Sequence, residues 1–241
     1  MMSKTDRTTQ SEKEKYQDFV NMTIHELKTP VTVLKAYLQM MLVQLDKDQL
    51  SGYVKTVEKM DVQLNKMLHL ISDLQDGINI NADNIHCLMN NFSITDALKS
   101  CIDNVKTTNP DLIVETDIQH ADLTINADRD RIEQVINNFI ANALKYSGGE
   151  KYLKIQSTVK DDRIKVSVID RGAGIPAEKQ QKVFEQFYRV ESPMTQKQPG
   201  LGLGLFICAE IIRKHNGEIG VNSKEGEGSE FWFGLSLRPR F

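Results

Sequence analysis

The chain has 241 residues, 40% apolar and 26% charged, with a formal net charge of -3. That is the make-up of an ordinary globular protein of one large or two modest domains. It excludes a disordered or collagen-like chain and leaves no whole-molecule basic footprint for nucleic acid or an anionic membrane.

Residues 1–14 are polar and lack the apolar core of a signal peptide. The richest apolar stretch, Leu38 to Leu45, contains Gln39 and Gln44 and is too short to span a bilayer. The expectation is a soluble, cytoplasmic protein, or the cytoplasmic part of a longer membrane sensor, with no membrane contact of its own. Cys87, Cys101 and Cys208 form no CxxC pair and no Cys/His metal spacing, which fits a reducing compartment.

From residue 15 a helical pattern begins. Val20, Ile24, Leu27, Val31, Leu34, Leu38, Met41 and Leu45 recur at alternating steps of four and three, a heptad seam. The polar run 46–52 interrupts it. A second seam follows through Leu50, Val54, Val57, Leu64, Leu68 and Ile71, with Asp61 as a polar interruption. Two such helices joined by a short loop make an antiparallel hairpin, and one hairpin cannot enclose a core. Pairing two hairpins into a four-helix bundle buries both seams, so residues 15–79 are expected to form a homodimer. The alternative is a hairpin folded onto the rest of its own chain.

An Asn-rich stretch reads as a linker, with the boundary drawn at 80–91. Residues 92–241 then mix strands and helices. Phe92 to Val105 reads as a helix, Leu112 to Thr116 and Leu123 to Asn126 as short strands, and Asp130 to Tyr146 as a helix. Leu153 to Val159 and Ile164 to Ile169 alternate as a hairpin turned at 160–163. Leu201 to His215 reads as a helix, and Glu218 to Asn222 with Glu230 to Leu237 as a closing hairpin. The fold class is therefore α+β in two domains, a helical hairpin followed by an α/β sandwich.

Three segments carry chemistry. FVNMTIHELKTP places His25 at the edge of the first seam, with Pro30 in mid-helix, where it removes a backbone bond and bends the helix. A neutral imidazole is a good nucleophile at pH 7. Thr29 lies at i+4 from His25 and shares its face. On the 130–146 helix, Asn138 and Asn142 stand at i,i+4 with Lys145 near them: amide oxygens suit Mg²⁺ and an ammonium suits phosphate. Alone, this trio reads more readily as ordinary polar surface than as a site. Finally, IDRGAGIP follows a strand and GLGLGL opens a helix. Asp170 can accept from an amino group, Gly172 and Gly174 allow close backbone approach, and amides at a glycine-rich helix N-terminus suit phosphate. No Walker A motif is present and no Rossmann fingerprint in its βαβ setting.

In this order the segments resemble those of sensor histidine kinases. FVNMTIHELKTP resembles the H-box, and the later segments resemble the N-box, G1-box, F-box (VFEQFYR) and G2-box of the ATPase superfamily shared with gyrase and MutL. The resemblance spans nearly the whole chain. It implies a Bergerat-type nucleotide domain, ATP and Mg²⁺ as cofactors, autophosphorylation of His25, and transfer to an aspartate on a response-regulator receiver domain. It makes Glu26 the hydrogen-bond partner and base for His25. It gives Thr29 a part in dephosphorylating the regulator, so a phosphatase activity is implied as well.

The resemblance also assigns Asn142, with Asn138, to Mg²⁺ and Asp170 to adenine, with Gly172, Gly174 and Ile175 among the nucleotide-binding residues. Lys145, Tyr146 and Arg189 go to phosphate or ribose, and Gly200, Leu201, Gly202, Leu203, Gly204 and Leu205 belong to the nucleotide-binding set as well. Phe184 and Phe187 would anchor a lid over residues 189–203. Leu201 departs from the small polar residue usual there. Two other readings keep part of the pattern. A gyrase- or MutL-like ATPase clamp would lack the H-box hairpin, and a degenerate kinase acting as a scaffold would not keep Asn142, Asp170 and the glycines. His69, His86, His120 and His215 match no motif and read as structural or surface residues.

Overall fold

The computed structural model describes residue 23 and residues 27–41, 50–81, 87–119, 123–147, 149, 151–190 and 201–237. The chain divides into two compact units, one built mainly on residues up to Gly77 and the other mainly on residues from Ile78 onward.

The first unit is helical. Helix α1 is described over 27–41 and runs on through Pro30. Along it the Thr32 hydroxyl donates to the Lys28 carbonyl at 2.8 Å. Helix α2, Leu50–Asn81, is 32 residues long. The Lys59 ammonium lies over the Tyr37 ring, 5.9 Å from its centre, so the two helices lie side by side. Along α2 the seam residues Val57, Leu64, Leu68 and Ile71 are exposed, Leu68 by 57%. Asp61, the polar interruption of that seam, accepts from Asn65 one turn on, at 3.0 Å. Helix α2 also continues further than its sequence suggests, through Gly77 to Asn81. A glycine inside a helix costs only about 1 kcal/mol, and no proline stops the run.

The second unit opens with strand β1, Asn90–Ser93, and helix α3, Ile94–Thr108. The helix starts at Ser93, whose hydroxyl accepts from the Asp96 N–H. The sequence pattern placed Phe92 in this helix; it belongs instead to β1. Strand β1 pairs antiparallel with β3, Thr124–Ala127, in a separate two-stranded sheet. The main sheet contains β2 (Ile113–Ile118), β4 (Tyr152–Lys160), β5 (Arg163–Asp170), β6 (Glu218–Lys224) and β7 (Gly228–Ser236), in the order β2-β4-β5-β7-β6. Only the β2–β4 pair is parallel, and helix α4, Arg129–Tyr146, lies within that crossover. The β4–β5 turn has Asp161 and Asp162 both at positive φ, the twist a two-residue hairpin turn requires.

Helices α3, α4 and α6 (Gly204–Lys214) cover one face of the sheet. The core between them is apolar and tightly filled. Ile132, Val135, Ile136 and Phe139 of α4 are fully buried, as are Leu153, Ile155, Val166 and Phe233 of the sheet. Phe139 meets Phe231 and Phe233 with ring centres 5.6 and 6.4 Å apart. Truncating such a side chain typically costs about 3–5 kcal/mol. The apolar stripe of α4 therefore fixes which way its opposite, polar face points.

Asp128 joins three parts of this unit. Its carboxylate caps α4 through the Arg131 N–H and accepts from the Leu88 N–H at 2.8 Å. Its own N–H donates to His215 Nε2 at 2.9 Å, at the end of α6. His215 Nδ1 bonds the Ile211 carbonyl at 2.7 Å, which makes Nδ1 the protonated nitrogen. His215 is thus a structural tie between α4 and α6.

Candidate active site

Helix α4 is the axis of the candidate nucleotide site. Asn138 and Asn142 lie on its polar face, and the Asn142 side-chain nitrogen donates to Asn138 Oδ1 at 2.9 Å. That bond leaves Asn142 Oδ1 as the amide oxygen of the pair not engaged in it. Gly204, the first residue of α6, abuts this pair: a Cβ there would lie 2.4 Å from Asn138 Nδ2. Any side chain at Gly204 would drive the α6 N-terminus and Asn138 apart.

Two turns further along α4, roughly 12 Å by helical rise, the second contact forms. Gly172 in the loop after β5 presses on the end of α4, where a Cβ would lie 2.3 Å from the Tyr146 carbonyl oxygen. Ala173 donates its N–H to the same oxygen at 3.3 Å. Within this loop Asp170 is 5% exposed. Burial pushes its carboxyl up from the usual range, against the backbone N–H groups of Gly172 and Ser229, which bond the carboxylate. The result is a poorly hydrated acceptor, suited to a neutral amino donor. At the same end of α4 the Tyr146 hydroxyl is pushed up by burial, while the positive charge of Arg189 draws it down. The Lys145 ammonium lies over the Tyr146 ring at 5.2 Å. The C-terminal end of α4 thus lies against the glycine-containing loop that holds the buried Asp170 acceptor, and the middle of the helix carries the paired amides against the α6 N-terminus.

The F-box aromatics frame the segment between β5 and α6. Phe184 meets Phe231 edge-on, with ring centres 6.5 Å apart. Phe187 has φ of 64°, a conformation a bulky side chain rarely adopts, and its N–H donates to the Gly202 carbonyl at 3.1 Å. Gly202 has φ of 70°. Leu201 and Leu203 are buried, whereas Leu205 is half-buried. Helix α6 begins at Gly204, not at Leu201, because the turn at Gly202 must come first.

His25 and Glu26 lie outside the described residues, as do Gly200 and the interior of the expected lid. Thr29 is exposed on α1. Sequence alone does not single out Ser223, Ser229 and Gln180, which surround the Asp170 loop. Only the EGEGS turn hints that this hairpin meets the site, with Gly228 at φ 96° against the Asp170 carbonyl.

The donor set fits a nucleotide with Mg²⁺. Mg²⁺ is commonly held by one or two protein oxygens together with nucleotide phosphates and water, and Asn142 Oδ1 is such an oxygen. At Gly172 and Gly204 a Cβ would collide with α4, so these glycines let the Asp170 loop and the α6 N-terminus lie directly against the helix that carries the two amides.

Residues 15–76 match the family model of the His Kinase A (phospho-acceptor) domain. Residues 127–239 match that of the Histidine kinase-, DNA gyrase B-, and HSP90-like ATPase. The chain belongs to the sensor histidine kinases. It is 31% identical over 227 residues to the sensor histidine kinase WalK of Bacillus subtilis, an alignment covering 92% of this chain and 37% of WalK. Against the signal transduction histidine-protein kinase ArlS of Staphylococcus haemolyticus it is 28% identical, over 89% of this chain and 47% of ArlS. The chain therefore spans less than half the length of these relatives. Among solved structures it is similar to the Acinetobacter baumannii histidine kinase AdeS, with a TM-score of 0.64, 25% identity, and coverage of 89% of this chain and 98% of that one. The histidine kinase ThkA, solved in complex with the response regulator protein TrrA, shares the fold at 22% identity and a TM-score of 0.66, over 97% of this chain and 65% of that one. No helix among the described residues is long and apolar enough to cross a membrane.

Proposed function

We propose that this sensor histidine kinase chain moves the γ-phosphoryl group of ATP onto its own His25 and from there to an aspartate of a response-regulator receiver domain. The observation that carries the reading is the convergence on α4: Gly204 against Asn138 in mid-helix, and Gly172, bonded to the Asp170 carboxylate, against the Tyr146 carbonyl at the C-terminal end. This supports adenine at Asp170, Gly172, Gly174 and Ile175, and phosphates at the α6 N-terminus with Lys145, Tyr146 and Arg189 nearby. Mg²⁺ held by Asn142 Oδ1 and nucleotide oxygens would neutralise the charge developing on the phosphates. A neutral His25 nitrogen attacks the γ-phosphorus, the bond from phosphorus to the ADP oxygen breaks, and the imidazole proton passes to Glu26. Thr29, four residues after His25 in the sequence, would position water for the reverse duty of dephosphorylating the regulator. The ThkA–TrrA complex supports a receiver domain as the partner.

The domain reading that goes with this is a phosphoacceptor hairpin over 15–79, a linker over 80–91 and a catalytic domain over 92–241. The exposed α2 seam supports a homodimer through the hairpin. The setting proposed is cytoplasmic. The test is incubation with Mg²⁺ and γ-labelled ATP, which should leave an acid-labile, alkali-stable phosphate on the chain. A chain that binds ATP yet stays unlabelled would contradict the kinase reading and favour a scaffold.

A further inference from the structure

The loop leaving β5 is held from behind by two side chains outside the H-box, N-box, G1-box, F-box and G2-box segments, Gln180 and Ser223. Gln180 ends the short helix α5, Ala177–Gln180. Its Nε2 donates to the Ile175 carbonyl at 2.9 Å and to the Ser223 carbonyl at 2.7 Å. A carboxamide nitrogen carries two protons, so both are committed, one to the loop and one to the end of β6.

Ser223 closes the clamp. Its hydroxyl accepts from the Ile175 N–H at 2.8 Å and donates its single proton to the Gly228 carbonyl at 2.7 Å. The Ser229 hydroxyl, 2.9 Å away, is therefore the donor in the serine pair. Ser229 also gives its backbone N–H to the Asp170 carboxylate. A chain of bonds thus runs from Ile175 through Ser223 and Ser229 to Asp170. The loop is seated hard on the same hairpin: Gly174 has φ of 68°, and a Cβ there would lie 2.0 Å from the Lys224 carbonyl oxygen. The β6–β7 backbone ladder, Glu218↔Gly234 to Lys224↔Gly228, needs neither Gln180 nor the Ser223 hydroxyl.

We infer that Gln180 and Ser223 are positioning residues for the nucleotide base, which hold loop 171–176 and orient Asp170 before nucleotide arrives. The inference rests on the proposed adenine role of Asp170. A wall formed in advance spares the ordering cost at binding. Loss of the clamp therefore shows in affinity for the base, equally in ATP and ADP, while the γ-phosphoryl chemistry is left alone. It raises KM more than it lowers kcat.

The test uses the whole chain. ADP binding is measured by calorimetry and ATP-dependent autophosphorylation by kinetics, for Gln180→Leu, Ser223→Ala, Ser223→Thr and Asp170→Asn. Gln180→Leu and Ser223→Ala should each weaken ADP binding and raise KM about tenfold, with kcat within about twofold. Ser223→Thr keeps the hydroxyl and should bind close to wild type. If Asp170→Asn loses ADP while Gln180→Leu and Ser223→Ala bind as wild type, the clamp has no positioning role. If Asp170→Asn binds ADP normally, the adenine reading itself fails. Equal losses in KM and kcat with a lowered melting temperature, unrelieved by Ser223→Thr, would make the clamp merely structural and overturn the inference.

Discussion

Asn142 donates through its side-chain nitrogen to Asn138 Oδ1 across 2.9 Å, one turn apart on α4. The bond engages the Asn138 carbonyl oxygen and leaves that of Asn142 out of it, so on the proposed reading Asn142 would hold the cation and Asn138 would orient Asn142. Asn142→Ala should cut Mg²⁺-dependent autophosphorylation at least about a hundredfold, whereas Asn138→Ala, which removes only the support, should cost about tenfold. Magnesium titrations of labelling rate measure both. Equal losses would mean that both amides hold the metal.

The Phe187–Gly202 bond ties together the two ends of the segment expected to close over ATP. A Cβ at Gly202 would lie 2.9 Å from the Phe187 carbonyl carbon, and the residue is at positive φ. Gly202→Ala should therefore lower stability by about 2 kcal/mol and raise KM for ATP. Gly226→Ala is the control, since Gly226 is also at positive φ but nothing lies within 4 Å of the added carbon. It should show the backbone cost alone, about 1 kcal/mol. Identical urea curves for the two variants would deny a steric role for the Phe187 backbone.

The His215 tie should make the second unit acid-sensitive. Burial lowers its pKa, against the Ile211 carbonyl and the Asp128 carboxylate, which both favour the charged form. Folding therefore favours the neutral ring, whose Nε2 accepts from the Asp128 N–H. The stability this supplies is complete above the ordinary histidine pKa of about 6.5 and is lost as pH falls through the lowered folded value. His215→Gln should destabilise by about 2 kcal/mol at pH 7.5, and by clearly less at pH 5. Urea melts at the two pH values measure this; a difference that does not shrink in acid would show that ring protonation is not involved.

Much of this was legible in the sequence, and the remainder was hidden for physical reasons. The apolar stripe of α4, the alternation in β4 and β5 and the glycines around Asp170 are local periodicities, and each landed within a few residues of its observed element. Strand β1 was missed because four residues, three of them polar, carry no period. Its identity comes from pairing with β3, including the Asn126–Asn91 side-chain bond. His215 and Asp128 are 87 residues apart, and Ile175 and Ser223 are 48 apart. Bonds at such separations leave no pattern in a single sequence. The glycines at 172 and 204 announced close approach, but not that α4 is what they both approach.

The α2 seam makes a separate prediction. Leu64 and Leu68 are exposed in the single chain, and two-fold pairing would bury each twice. Leu64→Lys with Leu68→Lys should raise the dimer dissociation constant at least about a hundredfold, since each buried leucine contributes about 1.5–3 kcal/mol. ADP affinity, which belongs to the other unit, should stay within about twofold. Sedimentation equilibrium reads the first and calorimetry the second. A double variant that remains dimeric would place the interface elsewhere.

The central claim is that His25 is the acceptor for a phosphoryl group delivered from the α4 nucleotide site. It is tested most directly by comparing wild type with His25→Gln for two quantities on the same preparation: ADP affinity, and acid-labile label taken from γ-labelled ATP. The account predicts unchanged affinity and complete loss of label in His25→Gln. Retention of acid-labile label by that variant would contradict it and move the acceptor to another residue.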